Sequence, residues 1–166
     1  MKQHQPIPTL HFLCGKAGAG KSTVAKALAR DHAAILISED VWLARLFGDQ
    51  MKTFDDYIHF SKKLKTVVGP LATDLLAAGH AVVLDFQANT KASRSWFRSL
   101  FEEAGAAHVL HLVPTSDQVC LERIARRNGE RPEGSHHLTE EAFTYISSFF
   151  EVPEPAEGFN VKARVK

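Results

Sequence analysis

Short apolar runs alternate along this chain with longer segments in which apolar residues recur every three or four positions. Thr9 to Cys14 (T-L-H-F-L-C) is apolar almost throughout and opens directly into glycines, the pattern of a central strand. Ala34 to Ile37, Ala81 to Leu84 and Ala107 to Val113 are further runs of the same kind. Lys21 to Asp31 places Val24, Ala25, Ala27, Leu28 and Ala29 in good helix-forming material. Ser38 or Asp40 is positioned to cap a helix that reaches Phe47, and Gly48 and Asp49 break it. Phe54 to Ala78 is helical in pattern; Gly69-Pro70 should kink or divide it, and Gly79 stops it. Thr90 to Ala104 closes on Gly105, Ser116 caps a helix to about Asn128, and Thr139 starts another to about Phe150. Phe159-Asn160-Val161 is the candidate fifth strand.

Strands alternating with helices predict an α/β fold with a mainly parallel sheet. No internal repeat, low-complexity block or composition break divides residues 1–166, so one domain is expected, with a polar, glycine-containing loop at 129–137. The chain has 166 residues, enough for one sizeable core. Its apolar fraction of 45% and charged fraction of 23% are those of a soluble globular protein. A net charge of +1 lacks the basic excess of a dedicated nucleic-acid binder, while leaving room for a local basic patch. Cys14 ends an apolar run and Cys120 falls in a helical pattern, positions that suit buried free thiols better than a disulfide. Met1 to Pro8 contains no apolar h-region, and no apolar stretch reaches about 18 residues. A secretory signal and a membrane span are therefore not expected, and the cytoplasm is the default location.

The chemistry begins at Gly15-Lys16-Ala17-Gly18-Ala19-Gly20-Lys21-Ser22, followed by Thr23. This matches G-x-x-x-x-G-K-[ST] between a predicted strand and a predicted helix, the context in which the motif holds nucleotide phosphates. Glycines let the backbone wrap an anion with N–H groups inward, and the helix beginning near Lys21 adds its positive end. Lys21 is placed to reach the β- and γ-phosphates, and the Ser22 hydroxyl to ligate Mg²⁺. Lys16 inside the loop is expected to be solvated. No guanine-reading N-K-x-D is present, which favours ATP over GTP.

In open α/β sheets ligands sit beyond the carboxyl ends of the strands. Asp85 follows the third apolar run, where a carboxylate either holds the Mg²⁺ shell in the Walker-B manner or caps a helix. Asp40 follows the second run, where it either accepts a proton from a substrate hydroxyl or merely caps the helix; Glu39 beside it is the second candidate base. The segment L-E-R-I-A-R-R-N-G-E-R-P puts Arg123 and Arg127 on one helix face, before the loop. Beside a phosphate cradle they suit a lid that stabilises charge on the transferring group, against the alternative of a solvated face paired with Glu122 and Glu130. His136 and His137 have no further ligands at metal-binding spacing and read as solvated loop residues. Trp42, just after Asp40, could line an acceptor pocket, whereas the other aromatics default to core.

These segments together resemble the small P-loop kinases, AAA-type ATP-binding proteins related to polynucleotide 5′-kinase domains, zeta toxins, chloramphenicol phosphotransferase and gluconate kinase. The resemblance is carried by L-C-G-K-A-G-A-G-K-S-T, I-S-E-D, L-L-A-A-G-H-A-V-V-L-D with Asn89 and Arg94 following, L-E-R-I-A-R-R-N, and F-F-E-V-P with a terminal F-N-V. It implies a three-layer P-loop NTPase fold, a five-stranded parallel sheet in order 2-3-1-4-5, and a small lid after strand four. It also implies Asp40 as the acceptor-activating carboxylate, Arg94 as a substrate or phosphate contact, and Arg123 or Arg127 near the nucleotide. The expected activity is ATP- and Mg²⁺-dependent phosphoryl transfer to a hydroxyl of a small molecule. Kinase activity on a nucleic-acid 5′-hydroxyl, and a P-loop ATPase or switch with no acceptor, are the competing readings. The acceptor and the oligomeric state are left open.

Overall fold

A computed structural model describes residues 7–164. The first six residues, which carry most of the segment read for a secretory signal, lie outside the described residues. The elements run β1 (Thr9–Cys14), α1 (Lys21–Asp31), β2 (Ile35–Ser38), α2 (Glu39–Phe47), α3 (Phe54–Ala77), β3 (Val82–Gln87), α4 (Lys91–Ala104), β4 (Ala107–Leu112), α5 (Asp117–Glu130), α6 (Glu140–Ser147) and β5 (Val161–Ala163). All five strands are parallel, in the order β2-β3-β1-β4-β5, as the family resemblance implies.

Both faces of the sheet are covered, which is why the strands read as continuous apolar runs. On one face Leu10, Phe12, Val82, Leu84 and Phe86 pack with Leu43 of α2, Leu64, Val68 and Leu76 of α3, and Phe97 and Phe101 of α4. On the other, Leu13 and Val83 pack with Ala25 and Leu28 of α1, Cys120 and Ile124 of α5, and Phe143 of α6. Cys14 and Cys120 are buried free thiols, as the sequence predicts. Among the described residues no helix is long and apolar enough to cross a membrane.

Several helix starts follow the local chemistry. Thr53 and Thr90 form reciprocal capping boxes with Asp56 and Ser93, and Ser116 and Thr139 accept from Val119 and Ala142 N–H groups. Of the two expected outcomes at Gly69-Pro70, division does not occur: α3 runs as a single helix of 24 residues with Pro70 inside it. Pro70 is exposed, so the carbonyl it leaves unbonded is on the solvent side, while Leu64, Val68 and Leu76 hold the helix to the core on either side of it. β5 begins two residues later than expected, and Phe159 before it is half-buried with its ring against those of Phe12 and Phe101.

A polar line crosses the α1 face of the sheet. His11 of β1 and His111 of β4 are both buried, with His11 Nδ1 2.9 Å from His111 Nε2. Arg164, just beyond β5, donates Nε to His111 Nδ1 at 3.1 Å, and the His32 ring lies 4.7 Å from that of His11.

Candidate active site

The glycine-rich loop connects β1 to α1 at the carboxyl edge of the sheet. Two of its glycines carry conformations a side chain would resist: Gly18 has φ +77 and Gly20, which caps α1, has φ +101. A Cβ on Gly18 would stand 2.6 Å from the Cys120 carbonyl oxygen, so this glycine also permits the loop to lie against α5. The loop is fastened there by Lys16 to Asp117 at 2.9 Å, by the Thr115 hydroxyl to the Ala19 carbonyl at 2.9 Å, and by Arg123 to the Ala19 carbonyl at 2.9 Å. Lys16 is thus ion-paired to α5, where the sequence alone had suggested a solvated side chain.

The Lys21 ammonium lies inside the loop, donating to the carbonyls of Gly15 at 2.6 Å and Lys16 at 2.9 Å. Burial pushes its pKa down, opposed by the carboxylates of Asp85 and Asp40. Beside it the Ser22 hydroxyl donates to Asp85 Oδ2 at 2.8 Å. Asp85 sits within β3, which continues to Gln87 and does not end at Leu84 as predicted. Between Phe12 and Leu13 the register against β1 slips, Phe12 pairing with Leu84 and Leu13 with Gln87. This irregularity accommodates Asp85 and Phe86, the kind of re-aiming that bulges provide next to active sites. Burial raises the Asp85 pKa, with the Ser22 hydrogen bond and Lys21 opposing. Ser22 and Asp85 present adjacent hard oxygen donors. No group of three or more His, Cys, Asp or Glu residues forms a metal cage among the described residues. That donor set suits a cation that keeps waters and phosphate oxygens as its remaining ligands, as Mg²⁺ does.

Glu39 and Asp40 begin α2, in its first turn, so Asp40 lies inside the helix and does not cap it. Glu39 is 3% exposed and accepts hydrogen bonds from the hydroxyls of Tyr57 and Ser61. Burial raises its pKa, and the Tyr57 bond partly offsets this. It ties α2 to α3 and is consumed by that task. The Asp40 side chain, 46% exposed, points to the segment after α5. Trp42 is half-buried and packs against the core.

α5 extends to Glu130, so the loop expected at 129–137 occupies 131–139, with Arg131 in the left-handed conformation at the helix end. Its base is closed by Asn128, whose amide meets both the N–H and the carbonyl of Leu138. Its tip rests on α2: Glu133 pairs with Arg45 at 2.6 Å, and Gly134 (φ +80) approaches the Asp40–Val41 peptide so closely that a Cβ would lie 3.0 Å from Val41 N. His136 follows, its ring edge-on to Tyr57 and Nε2 3.6 Å from Asp40 Oδ1, too far for a hydrogen bond. Among the described residues, Arg127 Nε of α5 and His136 Nε2 of the loop after it are the buried side-chain polar atoms left without a partner. Sequence reasoning put His136 in solvent; nothing in its spacing announces that the loop folds back onto Asp40. His137 is exposed, as expected.

The expected substrate contact at Arg94 is corrected. The side chain is 0% exposed, paired with Glu157 at 2.8 Å, and its NH1 donates to the carbonyls of Ala88 and Glu151 at 2.9 Å each. A guanidinium so fully used is a structural clamp and has no group free for a ligand.

Fold and site together define a small P-loop kinase. A family model described as an AAA domain matches residues 10–153, and the chain belongs to that family. It is 32% identical over 169 residues to an adenylyl-sulfate kinase from Shewanella denitrificans, covering 93% of this chain and 74% of that protein. Among solved structures it is similar to a candidate kinase from Chloroflexus aurantiacus, at a TM-score of 0.77 and 17% identity over 95% of this chain and 85% of that one. A gluconokinase from Sinorhizobium meliloti shares the fold at a TM-score of 0.61 and 20% identity over 95% and 82%. The chain is an ATP-dependent kinase.

Proposed function

We propose that the chain transfers the γ-phosphoryl group of Mg-ATP to a hydroxyl of a small molecule and that Asp40 is the general base. The observation that carries this reading is the unequal state of the two carboxylates at the start of α2. Glu39 is buried and doubly hydrogen-bonded, whereas Asp40 is open and faces an unpartnered imidazole nitrogen across 3.6 Å.

In this reading the backbone of Gly15 to Thr23 cradles the phosphates, and Lys21 leaves its carbonyl perch to meet the β- and γ-phosphates. Ser22 and Asp85 hold the Mg²⁺, which when bound neutralises phosphate charge. Asp40 accepts the acceptor's proton as that oxygen bonds to phosphorus, and the bond to the ADP oxygen breaks. His136 Nε2 stands where it can hydrogen-bond the same hydroxyl from the lid side. Arg127, whose Nε lacks a partner, meets charge on the transferring group, and Arg123 keeps the loop against α5.

ADP release from Mg-ATP, measured with and without adenylyl sulfate, gluconate, other sugars, hydroxylated antibiotics and a 5′-hydroxyl oligonucleotide, tests the reading. A small molecule that accelerates release and recovers one phosphate per ADP is the expected result. Stimulation by the oligonucleotide alone would assign a nucleic-acid acceptor instead. Unstimulated release throughout the panel would leave a hydrolase and overturn the proposal.

A further inference from the structure

One side chain holds both the N–H and the carbonyl of Gly15, the first residue of the phosphate loop. Asn89 Oδ1 accepts the Gly15 N–H at 2.9 Å, and Asn89 Nδ2 donates to the Gly15 carbonyl at 2.8 Å. The same carbonyl also takes the Lys21 ammonium at 2.6 Å. Asn89 is itself fixed on both flanks. The preceding Ala88 N–H donates to Leu13 of β1 at 3.1 Å, and the Asn89 carbonyl accepts from Glu151 N–H at 2.8 Å. Arg94 then bridges the carbonyls of Ala88 and Glu151. The amide is therefore held rigidly by β3 and by the segment before β5, with Gly15 as its partner.

From this we infer that Asn89 is a positioning residue for nucleotide binding, which presets the phosphate loop and keeps the Gly15 carbonyl satisfied when Lys21 leaves it for the phosphates. Lys21 occupies two carbonyls, those of Gly15 and Lys16. A carbonyl stripped of its donor in a half-buried site costs free energy, and that cost would fall on nucleotide affinity. Neither carbonyl is stripped here: Lys16 keeps the Ala19 N–H at 3.0 Å, and Gly15 keeps the Asn89 amide. Because the Gly15 N–H is committed to Asn89, the anion is met by the N–H groups further along the loop. The inference rests on nucleotide binding at this loop and is independent of which hydroxyl accepts the phosphoryl group.

The test is calorimetric binding of Mg-AMPPNP, without acceptor, together with thermal unfolding of each nucleotide-free protein. Binding by the parent examines the nucleotide site itself, and the ratio of variant to parent examines Asn89. Asn89→Ala should weaken affinity about ten-fold, the worth of one to two neutral hydrogen bonds. Asn89→Asp keeps an acceptor for the Gly15 N–H but loses the donor, and should weaken affinity at least as much; it also serves if the alanine variant does not fold. Leu76→Ala truncates a fully buried core residue of α3 that takes no part in holding the loop, Asn89 or Arg94. It should lower the unfolding midpoint and hold affinity within about two-fold of the parent, a change of under about half a kcal/mol. Parent-like affinity in Asn89→Ala or Asn89→Asp overturns the inference, as does an equal loss in Leu76→Ala, since the effect would then be one of general stability.

Discussion

Neighbouring carboxylates at the start of α2 serve different ends because successive helix positions face about 100° apart. Glu39 turns inward to Tyr57 and Ser61, and Asp40 turns to His136 of the loop at 131–139. The kinase reading therefore makes unlike demands on Lys21 and Asp40. Lys21→Ala should lose Mg-ATP binding and the thermal stabilisation it brings. Asp40→Asn should bind Mg-ATP nearly as the parent does, retain most basal hydrolysis, and lose acceptor phosphorylation by about 10²–10⁴-fold, the usual worth of a general base. Nucleotide affinity and both rates of ADP release, taken on one preparation, check this; intact transfer in Asp40→Asn would remove it from the base role. At this scale the sequence was legible where the chemistry is contiguous. Gly15 to Ser22 makes its own site, needing only a strand before it and a helix after. Arg94 was not legible, because its partner Glu157 lies 63 residues away and an arginine on a helix looks the same whether it meets a ligand or a buried carboxylate.

The loop at 131–139 is seated on α2 by few contacts. The Arg45–Glu133 pair is exposed on both sides and contributes little by itself. Gly134 matters more, since its positive φ and its approach to the Asp40–Val41 peptide leave no room for a side chain. Gly134→Ala should lift the loop from α2, raising the acceptor KM while nucleotide affinity stays at the parent value. Amide hydrogen exchange over residues 131–138 should quicken about ten-fold, the equivalent of roughly 1.4 kcal/mol of strain and lost contact. Unchanged exchange would mean that the loop is held by something other than this seat. The elements themselves were mostly legible, since capping residues and the change of apolar period mark their starts. The elements differ from expectation where packing outweighs local preference: core contacts on both sides of Pro70 keep α3 undivided. The fold-back of 131–139 onto α2 is a contact between loops far apart in sequence, and no local pattern encodes it.

For the molecule as a whole, the strand order gathers the loop, Asp85 and Asp40 at one edge of the sheet, an outcome that the alternation of strands and helices already implied. The buried histidines have a consequence of another kind. Arg164 can only donate, so His111 receives at Nδ1 and carries its proton on Nε2, which it gives to His11 Nδ1. Both rings are thereby neutral. Burial foremost, and the neighbouring Arg164, Lys162 and His32 after it, depress His11 to about 4 and His111 to about 3. Unfolding frees them to titrate near the ordinary value of 6.5. The unfolded chain therefore binds more protons throughout that interval. Stability is whole above about pH 6.5 and drains away as the solution is acidified towards pH 3, by about 1.4 kcal/mol per pH unit for each proton taken up. Denaturant midpoints measured from pH 7.5 to pH 4 should fall accordingly. His11→Leu, which removes one titrating ring, should flatten the fall, and an identical slope in that variant would show that the acid limb belongs to other groups. The proton-linked strands are the central β1 and its neighbour β4, with the last strand β5 tethered to them through Arg164, so acid should loosen the sheet from its middle and its carboxyl-terminal edge together.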